Sequence, residues 1–458
     1  MSQGSLLSRS TFPPTLLMTP NWAVRLVATA ACRTPPRQLS PFRARIRSYS
    51  ASTPTTTPES QAWKNGPLTG VKVLDLSRVL AASFCTQILA DYGAEVIKVE
   101  DVGKGEGTQW KSGLGPMSNY FVAVNRNKRS ICLNLKDERG KEAFLELVKG
   151  ADVLVENMRP GVMEKLGIDY GVVRKLNPGI IYASVSGYGP TGPYALRAGY
   201  DIIAGAEGGM LHLTGERNGP PVRPGLGLTD MCTGLFMHGA IIAALYTRLH
   251  TGRGQKLDGS LFETQIALLT NVASTWLNAG KEAERWGSQH PTIVPYDAFK
   301  SKDLYFVCGA TNDKQFRILC DVLDLKRLPE DPRFATNAAR VKHRDDLTPL
   351  LKATFAGKTT DEWMQIFEGS GLPYAPINTM ARVFSHPQTH AREMVHEMKF
   401  DGAISGTVSV LGSAVKFSET PPTIRRQPPL LGEHSREILQ EIGYTGERIA
   451  ELVDQKVI

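Results

Sequence analysis

The sequence has few cysteines, and their spacing excludes two common kinds of framework. Six cysteines are scattered along 458 residues with no C-x-x-C pair. Neither a zinc or other metal site nor a disulfide network is therefore expected, and reduced, mostly buried thiols are the simplest interpretation. Long apolar runs are also missing. Because no stretch approaches about 20 apolar residues free of charge, the sequence predicts no membrane-spanning helix and no membrane partner.

Loops that bind nucleotides or activate a serine are absent as well. There is no G-x-x-x-x-G-K-[ST], which argues against a P-loop NTPase, and no H-E-x-x-H. The turn at 77–82 lacks G-x-G-x-x-G, so a dinucleotide site is not expected, although Glu100 stands where a ribose-binding acid would. Ser186 lies in S-V-S-G-Y-G, which lacks the first glycine of a nucleophile elbow.

Acidic residues are scarce at the N-terminus, where most of the formal net charge of +8 is concentrated. Residues 1–60 hold seven arginines, no lysine and one glutamate, among many serines and threonines. This composition predicts a mitochondrial presequence and a matrix location, with an ordinary disordered tail as the alternative. R-S-Y-S at 47–50 resembles a matrix-protease cleavage site, and 51–60 resembles a flexible lead-in. The nearly neutral remainder gives no global reason to bind nucleic acid.

After residue 60, the pattern is that of an α/β protein. Short apolar strands are expected at 71–76, 95–99, 130–135, 153–155, 180–184 and 255–259. Helices are expected between and after them, at 82–92, 137–149, 160–175, 231–250 and 261–278. Strands that alternate with helices at this spacing predict a mostly parallel sheet covered on both faces.

The pattern changes near residue 285 and predicts a second, smaller α+β domain. Strand-like runs fill 292–308, and helices are expected at 312–323, 345–356 and 360–369. Farther on come a β-like stretch, an extended Pro-rich stretch and a last helix, at 402–417, 421–430 and 433–441. The predicted division is a presequence and lead-in, a large domain, a small domain and a C-terminal segment, at 1–60, 61–284, 285–395 and 396–458.

One polar stretch has two open interpretations. The segment 126–129 has three cations in four residues and lies close to a predicted strand. It could hold phosphates, or it could be a solvated charged turn.

Seven ordered segments resemble the family III CoA-transferases. They are GVKVLDLSRVLA at 70–81, ADYGAEVIKVE at 90–100, NRNKRSICLNLK at 125–136, VENMRPGVMEKLG at 155–167, GYGPTGP at 187–193, AGYDIIAGAEGGM at 198–210 and TGRGQKLDGSL at 251–261. Four further segments resemble the mitochondrial succinate–hydroxymethylglutarate CoA-transferases within that family: R-W-G at 285–287, I-V-P-Y at 293–296, G-S-G at 369–371 and P-L-L-G at 429–432.

The resemblance implies both a fold and an assembly. The subunit is expected to have a Rossmann-like large domain and a small α+β domain joined into an open ring, with 396–458 returning to the large domain. Two rings are expected to interlock into a homodimer. The implied co-substrate is coenzyme A, carried in by an acyl-CoA and transferred to a carboxylic acid, with no permanently bound cofactor.

The family's nucleophile is an aspartate before a long helix, and the matching position here is Asp230. From the residues alone, Asp230 would be the N-cap of helix 231–250, because a carboxylate accepts the free N–H groups there. The two roles are compatible, since a helix N-terminus also stabilises an anion. A carboxylate nucleophile implies transfer through an aspartyl-CoA thioester.

Other positions take their expected roles from the resemblance. Tyr200, Asp201 and Val79 match substrate-binding positions, with Leu80 standing where the family has a glutamine. The matches to CoA-binding positions are Leu133, Lys136, Asn157, Met158, Lys165 and Leu166. Asp101 stands where formyl-CoA transferase has a CoA-binding arginine.

The acceptor acid needs a cation. Arg78, Arg197 and Arg223 lie in or beside matched loops and could bind a distal carboxylate, which favours a dicarboxylic acid. Taken alone, each is better explained as a surface or fold-stabilising arginine, and it is the three together that favour the dicarboxylic acid. The sequence leaves succinate, glutarate, hydroxymethylglutarate and itaconate open.

Two other functions compete with CoA transfer. An α-methylacyl-CoA racemase shares the implied fold but needs a histidine where this chain has Tyr200. A CoA-binding relic without activity is the other alternative, and the retained Asp230 argues against it.

Overall fold

A six-stranded parallel sheet organises the larger part of the protein. The computed structural model describes residues 66–106, 114–115 and 117–458, so the predicted presequence at 1–60 lies outside the described residues. The strands are β1 (Lys72–Leu76), β2 (Glu95–Glu100), β3 (Lys128–Cys132), β4 (Val153–Glu156), β5 (Ile181–Ser186) and β6 (Lys256–Ser260).

The strand order is β3-β2-β1-β4-β5-β6, and every neighbouring pair is parallel. This is the doubly wound order of Rossmann-type sheets, in which the chain reverses direction between β1 and β4. Ligand clefts form at that point, outside the carboxyl ends of the strands. The predicted Rossmann-like α/β class is therefore confirmed.

Helices cover both faces of the sheet and continue into the rest of the chain. In chain order they are α1 (Ala81–Asp91), α2 (Asn119–Val124), α3 (Glu138–Lys149), α4 (Val162–Leu166), α5 (Tyr170–Leu176), α6 (Asp201–Glu207), α7 (Met210–Leu213), α8 (Leu228–Thr251), α9 (Leu261–Leu268), α10 (Thr270–Ala279), α11 (Asp313–Val322), α12 (Asn337–Lys342), α13 (Arg344–Phe355), α14 (Thr360–Phe367), α15 (Met380–Phe384), α16 (Pro387–Ala391), α17 (Ser435–Glu441) and α18 (Gly446–Asp454).

Two apolar cores lie on the two faces of this sheet. On one face α1 and α8 pack together, with Cys85 and Ile241 fully buried. The other face is covered by α3, α5 and the two C-terminal helices, with Phe144, Ile438 and Ile449 fully buried. The two C-terminal helices thus pack on the parallel sheet. The sequence prediction ended at helix 433–441 and missed α18.

Smaller antiparallel sheets follow the parallel one. One contains β7 (Tyr296–Lys300), β8 (Tyr305–Gly309) and β9 (Tyr374–Pro376). Helices α11, α13 and α14 pack on this sheet and enclose a separate core that is rich in aromatic rings. The other contains β10 (Val395–Lys399) and β11 (Thr407–Leu411). These elements match the strand and helix pattern expected after residue 285. The domain limits 61–284, 285–395 and 396–458 stay predictions.

Two predicted long helices are in fact pairs of short ones. The helix predicted at 160–175 is divided into α4 and α5 because Gly167 ends α4 in the left-handed conformation, with φ 70°. The helix predicted at 261–278 is divided into α9 and α10, and Thr270 at the break has φ 40°. Short apolar periodicity does not reveal such breaks.

Both interpretations of the cationic segment 126–129 are wrong. The segment is neither a solvated turn nor a free phosphate site, because β3 starts at Lys128 and all three cations are at least 94% buried. Each is paired with carboxylates: Arg126 with Asp91, Lys128 with Asp75, and Arg129 with Glu95, Glu437 and Glu441.

Helix α8 is the one helix in the described part of the chain that is long and apolar enough, by length and composition, to cross a membrane. Core helices of soluble proteins satisfy the same criterion. Here α8 packs along α1 against the sheet and carries Asp230 in its first turn.

Candidate active site

A cleft of about 740 Å³ opens at the carboxyl ends of β1 and β4, where the strand order reverses. It brings together most of the residues that the sequence singled out. The predicted residues that line it are Arg78, Val79, Leu133, Lys136, Asn157, Met158, Leu166, Arg197, Tyr200 and Asp230. Lys165, Asp201 and Arg223 do not line it.

The loops after β1 and β4 are joined across the cleft by a reciprocal pair of hydrogen bonds. The Arg78 N–H donates to Asn157 Oδ1 at 2.9 Å, and Asn157 Nδ2 donates to the Arg78 carbonyl at 2.8 Å. One side chain therefore fixes the separation of the two loops, and Asn157 has a structural role besides its predicted contact with CoA.

Asp230 does not cap its helix, contrary to the prediction from the residues. Helix α8 begins at Leu228 after Gly227, so Asp230 is the third residue of the first turn. The acceptor of the N-terminal amides is instead Asp201, the first residue of α6. Its Oδ1 accepts the N–H of Thr229 at 2.9 Å and the N–H of Asp230 at 3.2 Å. The prediction failed because the cap comes from a distant segment.

Burial and a neighbouring charge make Asp230 an unusual carboxyl group. Removal from water raises its pKa to about 7, and the negative charge of Asp201 contributes in the same direction. Near neutral pH the group is therefore divided between its acid and its carboxylate forms. A perturbed carboxyl group in a cleft is a common mark of a reacting residue.

Tyr120 lies close to these carboxylates and was missed by the sequence analysis. It is in α2, and 44% of its surface is exposed. Burial of the phenol raises its pKa, as do the charges of Asp230 and Asp201, while Arg223 lowers it. Arg223 is thus part of the electrostatic environment of Tyr120, although it does not line the cleft. No sequence motif marked Tyr120, because it precedes the matched segment 125–136.

The three candidate arginines differ in the partners that their guanidinium groups already have. Arg197 pairs with Glu207 at 2.6 Å, and its guanidinium lies over the rings of Tyr188 and Tyr194. Arg78 lines the same cleft, and its side chain has no carboxylate partner within residues 66–106, 114–115 and 117–458. Of the three candidates, Arg78 is therefore the one most available to a ligand in the cleft.

Metal chemistry has no support in the part of the chain that the structure describes, where no group of three or more His, Cys, Asp or Glu side chains could hold an ion. The free cysteines there include four buried thiols and the half-buried Cys232.

Comparison with known proteins decides the family. The model of CoA-transferase family III matches residues 68–435. The chain belongs to this family. It is an enzyme of the CoA-transferase class.

Curated relatives cover most of this CoA-transferase. An acyl-CoA transferase of Fusarium pseudograminearum is 54% identical over 441 residues, which are 90% of this chain and 97% of the relative. Succinyl-CoA:glutarate CoA-transferases of Mus musculus and Homo sapiens are 47% and 45% identical, over 85% and 88% of this chain and 89% and 92% of the relatives. The resemblance to succinate–hydroxymethylglutarate CoA-transferases noted in the sequence thus agrees with the relatives found.

Solved structures support the same fold for the CoA-transferase. A CAIB/BAIF family protein from Brucella suis superimposes with a TM-score of 0.76 at 39% sequence identity. The match covers 82% of this chain and 100% of that chain.

Proposed function

We propose that this CoA-transferase moves CoA from an acyl-CoA thioester, such as succinyl-CoA, to a free dicarboxylic acid through an aspartyl-CoA thioester on Asp230. The observation that carries the proposal is the position of Asp230. It is a largely buried carboxyl group in the first turn of α8, and it lines the cleft at the reversal point of the sheet. Such a group can reach a bound thioester and is poorly solvated, which favours nucleophilic attack.

Each step keeps an activated acyl group, either as a thioester or as an acid anhydride. The Asp230 carboxylate attacks the thioester carbonyl of the donor, which gives a mixed anhydride and CoA thiolate. The thiolate attacks the Asp230 carbonyl, which forms the aspartyl-CoA thioester and releases the donor acid. The acceptor carboxylate attacks that thioester and displaces CoA thiolate, and the thiolate then takes the acceptor acyl group from the second anhydride. The products are a new acyl-CoA and free Asp230, so no nucleotide is hydrolysed.

CoA would lie along the ends of β3 and β4. Leu133, Asn157, Met158 and Leu166 form the cleft wall there, and Lys136 supplies a cation for phosphate. Lys165 is outside the lining, so its proposed contact with CoA requires a ligand that extends beyond the cleft.

A dicarboxylic acid is favoured by an arginine that lines the cleft. Arg78 lies in the same wall as Val79, and its guanidinium is available for a distal carboxylate. The names of the mammalian relatives, succinyl-CoA:glutarate CoA-transferases, specify acids of this class. Arg197 and Arg223 are weaker candidates, because Glu207 holds the first and the second lies outside the lining.

Trapping the intermediate tests the proposal. Wild-type protein mixed with succinyl-CoA without an acceptor should gain the mass of CoA less one water, on the peptide that contains Asp230. Hydroxylamine should remove the CoA. The Asp230→Asn variant is the control and should gain nothing. An adduct on another residue, or transfer without any adduct, would contradict the mechanism.

The pH dependence of the reaction should follow the Asp230 carboxyl group. Only the carboxylate attacks, so kcat/KM for the acyl-CoA should rise with pH and reach half its plateau near the pKa of about 7. Asp201→Asn keeps an oxygen for the two amides but removes the charge, so the midpoint should move to lower pH. Glu207→Gln, on the same helix, should leave it in place. An unchanged midpoint in Asp201→Asn would show that Asp201 does not set this pKa.

We also propose the interlocked homodimer and the matrix location implied by the sequence. Large apolar side chains remain exposed on α8 and α10, among them Phe236, Leu249 and Leu277, and a partner surface would cover them. Sedimentation showing an active monomer would contradict the dimer.

N-terminal sequencing of the protein from mitochondria should find a start between about residues 45 and 65, whereas an intact Met1 on cytosolic protein would contradict import.

A further inference from the structure

Four charged side chains form a buried cluster beneath the loop that follows β1. Asp75, Lys98 and Lys128 are fully or almost fully buried, and Glu106 is 8% exposed. Lys128 Nζ lies 2.8 Å from Asp75 Oδ2, and Lys98 Nζ lies 3.2 Å from Glu106 Oε2. The resemblance assigned none of these residues a role, and none is needed as a nucleophile or a ligand in the reaction.

The cluster holds Ser77 from both sides. Asp75 Oδ1 accepts the Ser77 N–H at 2.9 Å and also accepts the Ser77 hydroxyl. Lys98 Nζ donates to the Ser77 carbonyl at 2.9 Å. The loop therefore leaves β1 in one fixed direction.

Glu106 fixes the next part of the loop. Val79 has φ 65°, a conformation that a β-branched residue rarely adopts. Its N–H donates to Glu106 Oε1, while the other oxygen of the same carboxylate faces Lys98. A conformation of this kind persists only when surrounding groups impose it. The single carboxylate thus connects the strained amide to the lysine that also holds Ser77.

This loop lines the same cleft as Asp230 and contacts the start of the helix that carries it. Leu80 follows Val79, and both line the cleft with Asp230. The Leu80 side chain packs directly on Gly227, the residue before α8: a Cβ at Gly227 would lie 2.9 Å from Leu80 Cδ2. If Val79 relaxed, Leu80 would move relative to the first turn of α8.

We propose that the buried Lys98–Glu106 ion pair is a positioning device for the acyl group: it holds Val79 and Leu80 in the cleft wall beside the first turn of α8 and so sets the rate of acyl transfer. The proposal rests on the proposed function of Asp230. It predicts a larger effect on the chemical step than on the binding of CoA, because the hydrogen bonds of the pair go to Ser77 and Val79 in the loop after β1, and the loop after β4 is reached only through Asn157.

Stability alone gives a weaker account of the pair. Replacing buried ion pairs by apolar side chains is often neutral or stabilising, so a buried pair is poor evidence for a stabilising role. Here the pair makes specific hydrogen bonds to one loop, and that loop carries the strained residue.

The test compares Glu106→Gln in two backgrounds. The Glu106 carboxylate uses one oxygen for the Val79 N–H and the other for Lys98. Glutamine has only one acceptor oxygen, so it can serve one of these two groups but not both. We expect the rate of CoA-adduct formation and kcat to fall about 10- to 100-fold, as for a misplaced reacting group. The dissociation constant of CoA should stay within about threefold of wild type.

In the Val79→Gly background the same change should cost much less, because glycine adopts φ 65° without an imposed contact. Here Glu106→Gln should lower kcat less than about threefold. The matched control is Asp91→Asn. It removes the negative charge of another buried ion pair, that of Asp91 with Arg126, which lies outside the cleft. Asp91→Asn should alter thermal stability and leave kcat per folded molecule unchanged.

The outcomes separate this inference from the proposed function. If wild type forms no adduct, the proposed function fails. If wild type forms it and Glu106→Gln forms it equally fast, only the positioning role is wrong. An equal loss of kcat in both backgrounds, or a Glu106→Gln variant that does not fold while Asp91→Asn does, would also overturn the positioning role.

Discussion

Replacing Asp230 by asparagine should lower CoA transfer by at least about 1,000-fold, because the amide cannot form the covalent intermediate. The variant keeps the size of the side chain and leaves the Asp201 contacts with the first turn of α8 in place. Binding of CoA, measured by calorimetry, should change little. The assay follows transfer of CoA from succinyl-CoA to each of a panel of free dicarboxylic acids by chromatography.

The control for this variant is Asp258→Asn. Asp258 is another aspartate of the parallel sheet, burial raises its pKa as well, and it lies outside the cleft. It should retain wild-type transfer. If Asp230→Asn keeps a tenth of the wild-type rate, the carboxylate is not the nucleophile and the cleft uses another route.

The same substitution should make the protein more stable. The folded-state pKa of Asp230, about 7, lies above the ordinary value of 3.8. Between these values the folded protein keeps a proton that the unfolded chain has lost, so stability decreases as the pH rises through this window, and the full cost is present above pH 7. Asparagine removes that cost, so Asp230→Asn should raise the free energy of unfolding by roughly 1–3 kcal/mol at pH 8. An unchanged or lower stability would show that the burial of this charge is compensated.

The largest expected loss of stability is at Lys128. Its ammonium group is fully buried and contacts Asp75 at 2.8 Å, and it also donates to Ser83, Thr86 and Asn125. Lys128→Met keeps most of the apolar stem but leaves these acceptors without their donor. Removal of one partner of a buried pair typically costs about 3–5 kcal/mol. Denaturant unfolding monitored by circular dichroism should show a loss of this size.

Lys149→Met provides the matched comparison. Lys149 pairs with Glu146 on the exposed side of α3, at the i,i+3 spacing. Such surface pairs contribute at most about 0.5 kcal/mol, so this variant should unfold nearly as wild type does. If both lysine variants lose equal stability, burial of the Asp75–Lys128 pair is not what matters.

Much of the fold follows from local patterns in the sequence. The alternation of apolar strands and amphipathic helices predicts β1 to β6 to within a few residues, because alternation and helical periodicity record which side of each element is buried. The resemblance then located Asp230 and most of the cleft, since short segments such as 70–81 and 155–167 contain loops that must meet at the strand ends.

What the sequence could not predict depends on partners that are distant along the chain. The segment 126–129 has the composition of a solvated turn. In the folded protein, however, Arg129 pairs with Glu441 and Lys128 pairs with Asp75. Lys98 lies in the middle of an apolar strand, a position that indicates a buried charge in need of a partner. The sequence does not identify that partner, Glu106, because the two come together only when the chain folds.

The sequence by itself determined the six strands of the parallel sheet and most of the helices, because each of these leaves a local pattern, and the resemblance to a known family supplied the candidate nucleophile. Only the tertiary structure decided the strand order that puts the ends of β1 and β4 side by side, and the choice of Asp201 rather than Asp230 as the acceptor for the first turn of α8. Strand order and long-range hydrogen bonds depend on which elements lie beside one another. Periodicity records which side of an element is buried, but it does not record which element covers that side.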